Sequence, residues 1–169
     1  SMHDAVQRES KNVRENAGIL DGSTLGKIEI KGEDALEFMN LIYTNSFTKM
    51  KQGSARYALM LGEDGMVKDD GIICKISDQH FIATTTTGGA ATVLGCMEEY
   101  AQTEWPNLKV FMNSITEQYA TFNISGPKTR EIMKKAFPNI NFSNEEFPFM
   151  TFQFHEFNGV PIRILRASF

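Results

Sequence analysis

No stretch of this sequence stays apolar for the roughly 18–20 residues that a membrane-crossing helix needs. Lys and Arg number 17 against 21 Asp and Glu, for a net charge of −4, and no basic cluster stands out. That balance argues against an electrostatic grip on nucleic acid and against anionic membranes. There are 2 cysteines, Cys74 and Cys96, with no CxxC and no histidine at ligand spacing. A structural zinc site is therefore disfavoured, and both read as reduced, buried thiols of a cytoplasmic protein. His3, His80 and His155 are scattered singles, read as surface or turn residues, and no metal is expected. GxGxxG, P-loop and GxSxG motifs are absent, so no dinucleotide site is legible. The polar opening SMHDAVQRES is not a signal peptide.

What the chain does have is core material: 41% hydrophobic residues, 13 Phe and 9 Met among 169 positions. Residues 4–16 read as a helix. KIEIKG (27–32) alternates as a half-buried strand, and 32–43 reads as an amphipathic helix. ARYALML (55–61) and MVKDDGIICKI (66–76) form a hairpin signature around Asp64-Gly65, with a third strand in FIATTTT (81–87). A helix over 88–105 ends at Pro106. Strands follow at 108–113 and 118–125, then a helix over 125–137 with Ser125 as cap and Pro127 in its first turn. A final hairpin, 147–157 and 160–167, turns at Asn158-Gly159. Asn123-Ile124-Ser125 matches a glycosylation sequon but falls in an expected buried strand and is treated as chance. Without a regular βαβ alternation, the pattern predicts an α+β fold with mainly antiparallel sheets and packed helices. A coarse echo of strand and helix order suggests two related halves meeting near 106–115.

The stretch GMVKDDGIIC (65–74) is the anomaly. Adjacent like charges, Asp69 and Asp70, interrupt a strand. Side chains alternate along a strand, so the pair cannot share a face. One carboxylate points inward, which is costly unless it is satisfied or functional. Gly71 beside them signals a bulge or a close backbone approach. Sequence alone supports a structural and a functional role equally. Gly88-Gly89 reads either as an anion-receiving turn or as a strand-to-helix turn capped by Thr87 or a neighbour; spacing favours the latter. The hydroxyls of the TTTT run could line a polar pocket.

VRENAGILDGSTLGKIEIKGEDALEFMNLIYTN (13–45), ARYALMLGEDGMVKDDGI (55–72) and ISGP (124–127) resemble the folate-binding domain of the aminomethyltransferase family. That family includes the glycine-cleavage T-protein, dimethylglycine dehydrogenase and the α subunit of heterotetrameric sarcosine oxidase. IYTNSFTK, TTTTGGAA, MEEYAQTEWP and FPFM resemble the C-terminal folate-binding region of the sarcosine oxidase branch. The resemblance implies an α+β tetrahydrofolate-binding domain over 1–169. It implies that folate accepts a one-carbon unit from an oxidised N-methyl amine, giving 5,10-methylenetetrahydrofolate and glycine. Flavin and NAD would be bound by other parts of the parent complex, and other subunits and folate would be the partners. By family position Asp69 is the catalytic carboxylate. Tyr57 lies in the pterin pocket, Leu25 stands where the family has a small apolar pocket residue, and Asp70 belongs to the structural or hydrogen-bonding shell. Leu25 reads equally well as a core leucine. Thr86 stands where the T-protein branch has Asn, in the folate-contacting turn. The family continues through a TGExGYE-like turn, and this chain stops at ASF. A C-terminally truncated domain, inactive by itself and prone to self-association, is therefore the expectation. The alternative within the same fold is a non-catalytic folate-binding scaffold or an iron–sulfur maintenance protein.

Overall fold

The computed structural model describes residues 1–168. The elements run α1 (Met2–Glu15), β1 (Gly18–Asp21), β2 (Gly26–Lys31), α2 (Ala35–Ile42), β3 (Ala55–Leu61), β4 (Val67–Ser77) and β5 (His80–Thr85). They continue with α3 (Ala90–Thr103), β6 (Phe111–Ser114), β7 (Phe122–Ser125), α4 (Thr129–Ala136), β8 (Thr151–Phe157) and β9 (Val160–Arg166). The main sheet has the order β3-β4-β5-β2-β6, and β1-β7 and β8-β9 form separate pairs. Every pairing is antiparallel. The α+β architecture expected from the sequence is the one observed.

Alternation on β2 shows how the sheet sorts its faces. Ile28 and Ile30 point to one side, where they pack with Phe38 and Met39 of α2, Val93 and Met97 of α3, and Met60, Ile73, Phe81 and Ala83 of neighbouring strands. Each fully buried Phe or Ile contributes about 1.5–3 kcal/mol relative to exposure. The other face carries a smaller core of Ala55, Cys74 and Ile82, covered by Ile115 and by Phe152 of β8. The β3–β4 hairpin turns at Asp64-Gly65, with Gly65 at φ 78°. The β8–β9 hairpin turns at Asn158-Gly159, both left-handed (φ 51° and 78°), as a two-residue primed turn requires.

Some expectations at the element ends do not hold. Ser125 does not cap α4: it closes β7, and its hydroxyl donates to Asn123 Oδ1 at 2.9 Å. The helix begins four residues later, because Gly126 at φ 119° is outside the helical region; Lys128 is the N-cap, its N–H bonding the Asn16 carbonyl and its ammonium the Asn16 side chain. The strand expected at 108–113 is Phe111–Ser114, starting only after turns that bond Leu108 to Trp105 and Val110 to Leu108. The strand expected at 118–125 is Phe122–Ser125, because Thr116–Gln118 form a 3₁₀ turn before it. Asn123 lies exposed on β7, so the sequon is not in a buried strand. Among the described residues no helix is long and apolar enough to cross a membrane.

Candidate functional site at the β4 carboxylate pair

The site starts from a break in register. Met60 pairs with Asp69 and Leu61 with Val67, which leaves Lys68 unpaired in a bulge. Beyond it, Asp69 opposes Met60 and Asp70 opposes Leu59. Alternation therefore assigns Asp69 to the face of Met60 and Ile73, under the helices. Asp70 falls on the face of Tyr57 and Ile72.

Asp69 is 7% exposed, and both its oxygens are engaged. Oδ1 accepts the Thr86 hydroxyl at 2.7 Å, and Oδ2 accepts the Thr86 N–H at 3.2 Å. The Thr86 hydroxyl also accepts the Gly89 N–H at 3.0 Å, at the start of α3. A Cβ on Gly89 would stand 2.8 Å from Asp69 Oδ1, so only glycine lets the turn close over the carboxylate. Gly88-Gly89 forms a strand-to-helix turn with Gly89 as the N-cap of α3 and no side-chain cap; neither Thr87 nor Thr86 caps the helix, and Thr86 instead holds the Gly89 N–H. Burial, reinforced by the Asp69 charge, drives the nearby Tyr43 hydroxyl far above the usual tyrosine range.

Asp70 is half-buried, and its Oδ2 accepts the Tyr57 hydroxyl at 2.5 Å. Tyr57 itself is 41% exposed. The hydrogen bond to Asp70, then desolvation and the carboxylate charges, raise the Tyr57 phenol above its ordinary value. Tyr57 and Asp70 come together on the solvent-reaching side of the sheet, whereas Asp69 and Tyr57 lie on opposite faces. Leu25 precedes β2 and is 41% exposed, which removes its reading as a core leucine.

One participant escaped the sequence reading. Lys27, 2% exposed, donates to the carbonyls of Leu25 (2.8 Å) and Ser23 (3.1 Å), and so braces the loop that carries Leu25. Burial, with Arg163 nearby, lowers its ammonium below the usual lysine range. The alternation of KIEIK placed Lys27 on a polar face; only the covering by later elements buries it. The histidines stay apart: His3 meets Gln7, His80 meets Glu29 and His155 meets Gln153. Among the described residues no group of three or more His, Cys, Asp or Glu could hold a metal ion. Cys74 and Cys96 are buried and unpaired by a disulfide.

The fold and site together define an α+β domain that offers a strand-borne carboxylate beside an exposed tyrosine. The chain belongs to the GCVT N-terminal domain family, which it matches over residues 1–169. It is 49% identical over 170 residues to sarcosine oxidase subunit alpha of Corynebacterium sp. (strain U-96), covering 100% of this chain and 18% of that protein. Against sarcosine oxidase subunit alpha of Rhizobium meliloti (strain 1021), identity is 48% over 150 residues, with 89% of this chain and 15% of that protein covered. Against an aminomethyltransferase of Chlorobium phaeovibrioides (strain DSM 265 / 1930) it is 28% over 168 residues, covering 99% of this chain and 45% of that protein. The crystal structure of glycine cleavage system aminomethyltransferase T from Bartonella henselae has a TM-score of 0.76 at 22% identity, over 87% of this chain and 38% of that one. That likeness shows a shared fold. The chain thus spans 18% or less of the two sarcosine oxidase subunits described.

Proposed function

We propose that this chain is the tetrahydrofolate-facing domain of a sarcosine-oxidase-like enzyme. In this reading folate accepts the one-carbon unit of an oxidised N-methyl amine, giving 5,10-methylenetetrahydrofolate and glycine. Flavin and NAD belong to other parts of a multi-subunit complex, which works in the cytoplasm. Identity near one half to sarcosine oxidase α subunits, over 89–100% of the chain, supports the enzyme class. The pairing of Tyr57 with Asp70 on the open face is the observation that carries the site.

A folate nitrogen that attacks an iminium carbon must shed a proton, and the cationic species needs a nearby counter-charge. A carboxylate on a strand supplies both from a rigid support. The residues fit such a ligand: Tyr57 offers an exposed aromatic face to a flat ring, and Asp70 offers acceptor oxygens to its N–H groups. Family position gives the catalytic role to Asp69. Geometry favours Asp70, because Asp69 is buried on the opposite face with both oxygens occupied by Thr86. Leu25 lines the pocket from the loop braced by Lys27, and Thr86 acts through Asp69.

The test is titration of the full-length protein with tetrahydrofolate, followed by assay of methylenetetrahydrofolate formed from sarcosine. Saturable binding with turnover is expected. Binding without turnover on any N-methyl amine would instead favour a folate-binding scaffold, and absence of binding would remove the folate reading.

A further inference from the structure

The β4–β5 ladder stops short of the carboxylates. Its registered pairs run from Ser77↔His80 to Ile73↔Ala83, whereas β5 stays paired with β2 as far as Gly26↔Thr85. On the β5 side, residues 67–72 of β4 therefore lack a strand partner. On the β3 side the stretch stays paired from Ile72↔Tyr57 to Asp69↔Met60 and then breaks in the bulge at Lys68. A strand end held along one edge only is a poor support for a working group, since small misplacements of a reacting group are costly.

Alternate threonines of the TTTT run replace the missing ladder. The Thr84 hydroxyl accepts the Ile72 N–H at 2.7 Å and donates to the Ile72 carbonyl at 3.1 Å, so one side chain occupies both positions of a backbone partner. The backbones close to contact there: a Cβ on Gly71 would lie 1.9 Å from the Thr84 carbonyl oxygen. Thr86 then holds Asp69 through its N–H and hydroxyl, and its hydroxyl is itself fixed by the Gly89 N–H. One anchor lies two residues after Asp70 and the other one residue before it. Asp70 lies between them, with Leu59 of β3 as its one ladder partner.

We infer that Thr84 and Thr86 are positioning residues for Asp70: with Asp69 as the acceptor they form a side-chain latch that fixes the bulged end of β4 and aims Asp70 at the open face beside Tyr57. Neither threonine needs to touch substrate. The inference rests on the folate-transfer reading, and it assigns Asp69 a mechanical task. It also explains the TTTT composition, because the hydroxyls, rather than β propensity alone, are used at alternate positions.

The experiment replaces Thr84 and Thr86 singly by Val, which keeps the shape and removes the hydroxyl, and by Ser, which keeps the hydroxyl. Turnover is measured in the full-length protein beside Asp70→Asn. Each Val variant is expected to lose about tenfold or more in kcat while KM for the amine stays within about twofold. Each Ser variant is expected to recover at least about half of wild-type kcat, because the latch is rebuilt. Val variants with unchanged kcat, set against an inactive Asp70→Asn, would overturn the latch. If Asp70→Asn turns over like wild type, the fault lies in the catalytic reading beneath it. Should the Val variants fail to fold, amide hydrogen exchange on the wild type decides. The Ile72 and Thr86 amides are expected to be protected like the laddered Ile73, and exchange at exposed-loop rates would overturn the proposal.

Discussion

The Tyr57 hydroxyl donates to Asp70 Oδ2 at 2.5 Å, diagonally across the β3–β4 ladder, where Tyr57 directly opposes Ile72. Ionising the phenol would destroy this bond and set two negative charges together. The Tyr57 midpoint should therefore lie above the ordinary value near 10, and Asp70→Asn should bring it down towards that value. Because the folded-state value is the higher one, this pair supports the fold below about pH 10 and is lost as pH rises through the folded midpoint. Residue-resolved NMR of the tyrosine ring carbons reads it. A Tyr57 midpoint unmoved by Asp70→Asn would sever the link.

Lys27 gives the opposite slope. Its folded-state value is depressed by burial, so between that value and the unfolded value near 10.5 the unfolded chain holds more protons. Stability should rise with pH across that window, and Lys27→Met should flatten the rise in denaturant melts taken at several pH values. Removing the ammonium also leaves the Ser23 and Leu25 carbonyls without their donor, at a cost of about 1–3 kcal/mol at neutral pH.

Gly71→Ala forces a Cβ to within 1.9 Å of the backbone oxygen of Thr84. A backbone atom cannot swing aside as a side chain does. The variant should lose about 1–3 kcal/mol or more in chemical denaturation, and the Thr84 contact to Ile72 should open with it. Gly95→Ala meets open space and serves as the tolerant control. Equal stability of the two variants would argue against the close approach.

The thiols should be quiet. Cys74 is 1% exposed, and burial pushes its thiol up to about 11, so almost no thiolate exists at neutral pH. Cys96, on the buried face of α3, is 8% exposed, with the Lys68 ammonium 3.3 Å from its sulfur. A disulfide-exchange reagent at pH 7 should leave Cys74 unmodified in the native chain and modify both cysteines after denaturation. Fast native labelling of Cys74 would contradict its burial.

Most of the fold was legible because its signals are local. The hairpin turns at Asp64-Gly65 and Asn158-Gly159, the alternation of Ile28 and Ile30, and the 3.6-residue spacing in α2 each specify their own element. The start of α4 was not legible, because Gly126 takes a positive φ where it packs against Val13 and Asn16, distant in sequence. At the site, alternation correctly split Asp69 from Asp70, but it could not say which faced the helices. That choice depends on the partner register of β3 and on Thr86, 17 residues away. Lys27 was missed for the same reason: its burial is made by segments that a local pattern does not contain.

In the proposed function Asp70 is the working carboxylate and Asp69 part of its support. The most direct measurement is kcat for methylenetetrahydrofolate formation from sarcosine in Asp69→Asn and Asp70→Asn, each with its tetrahydrofolate affinity. Asp70→Asn should lose about a hundredfold or more, and Asp69→Asn about tenfold, with folate still bound by both. Loss of turnover in Asp69→Asn with near-normal turnover in Asp70→Asn would contradict the account and return the catalytic role to Asp69.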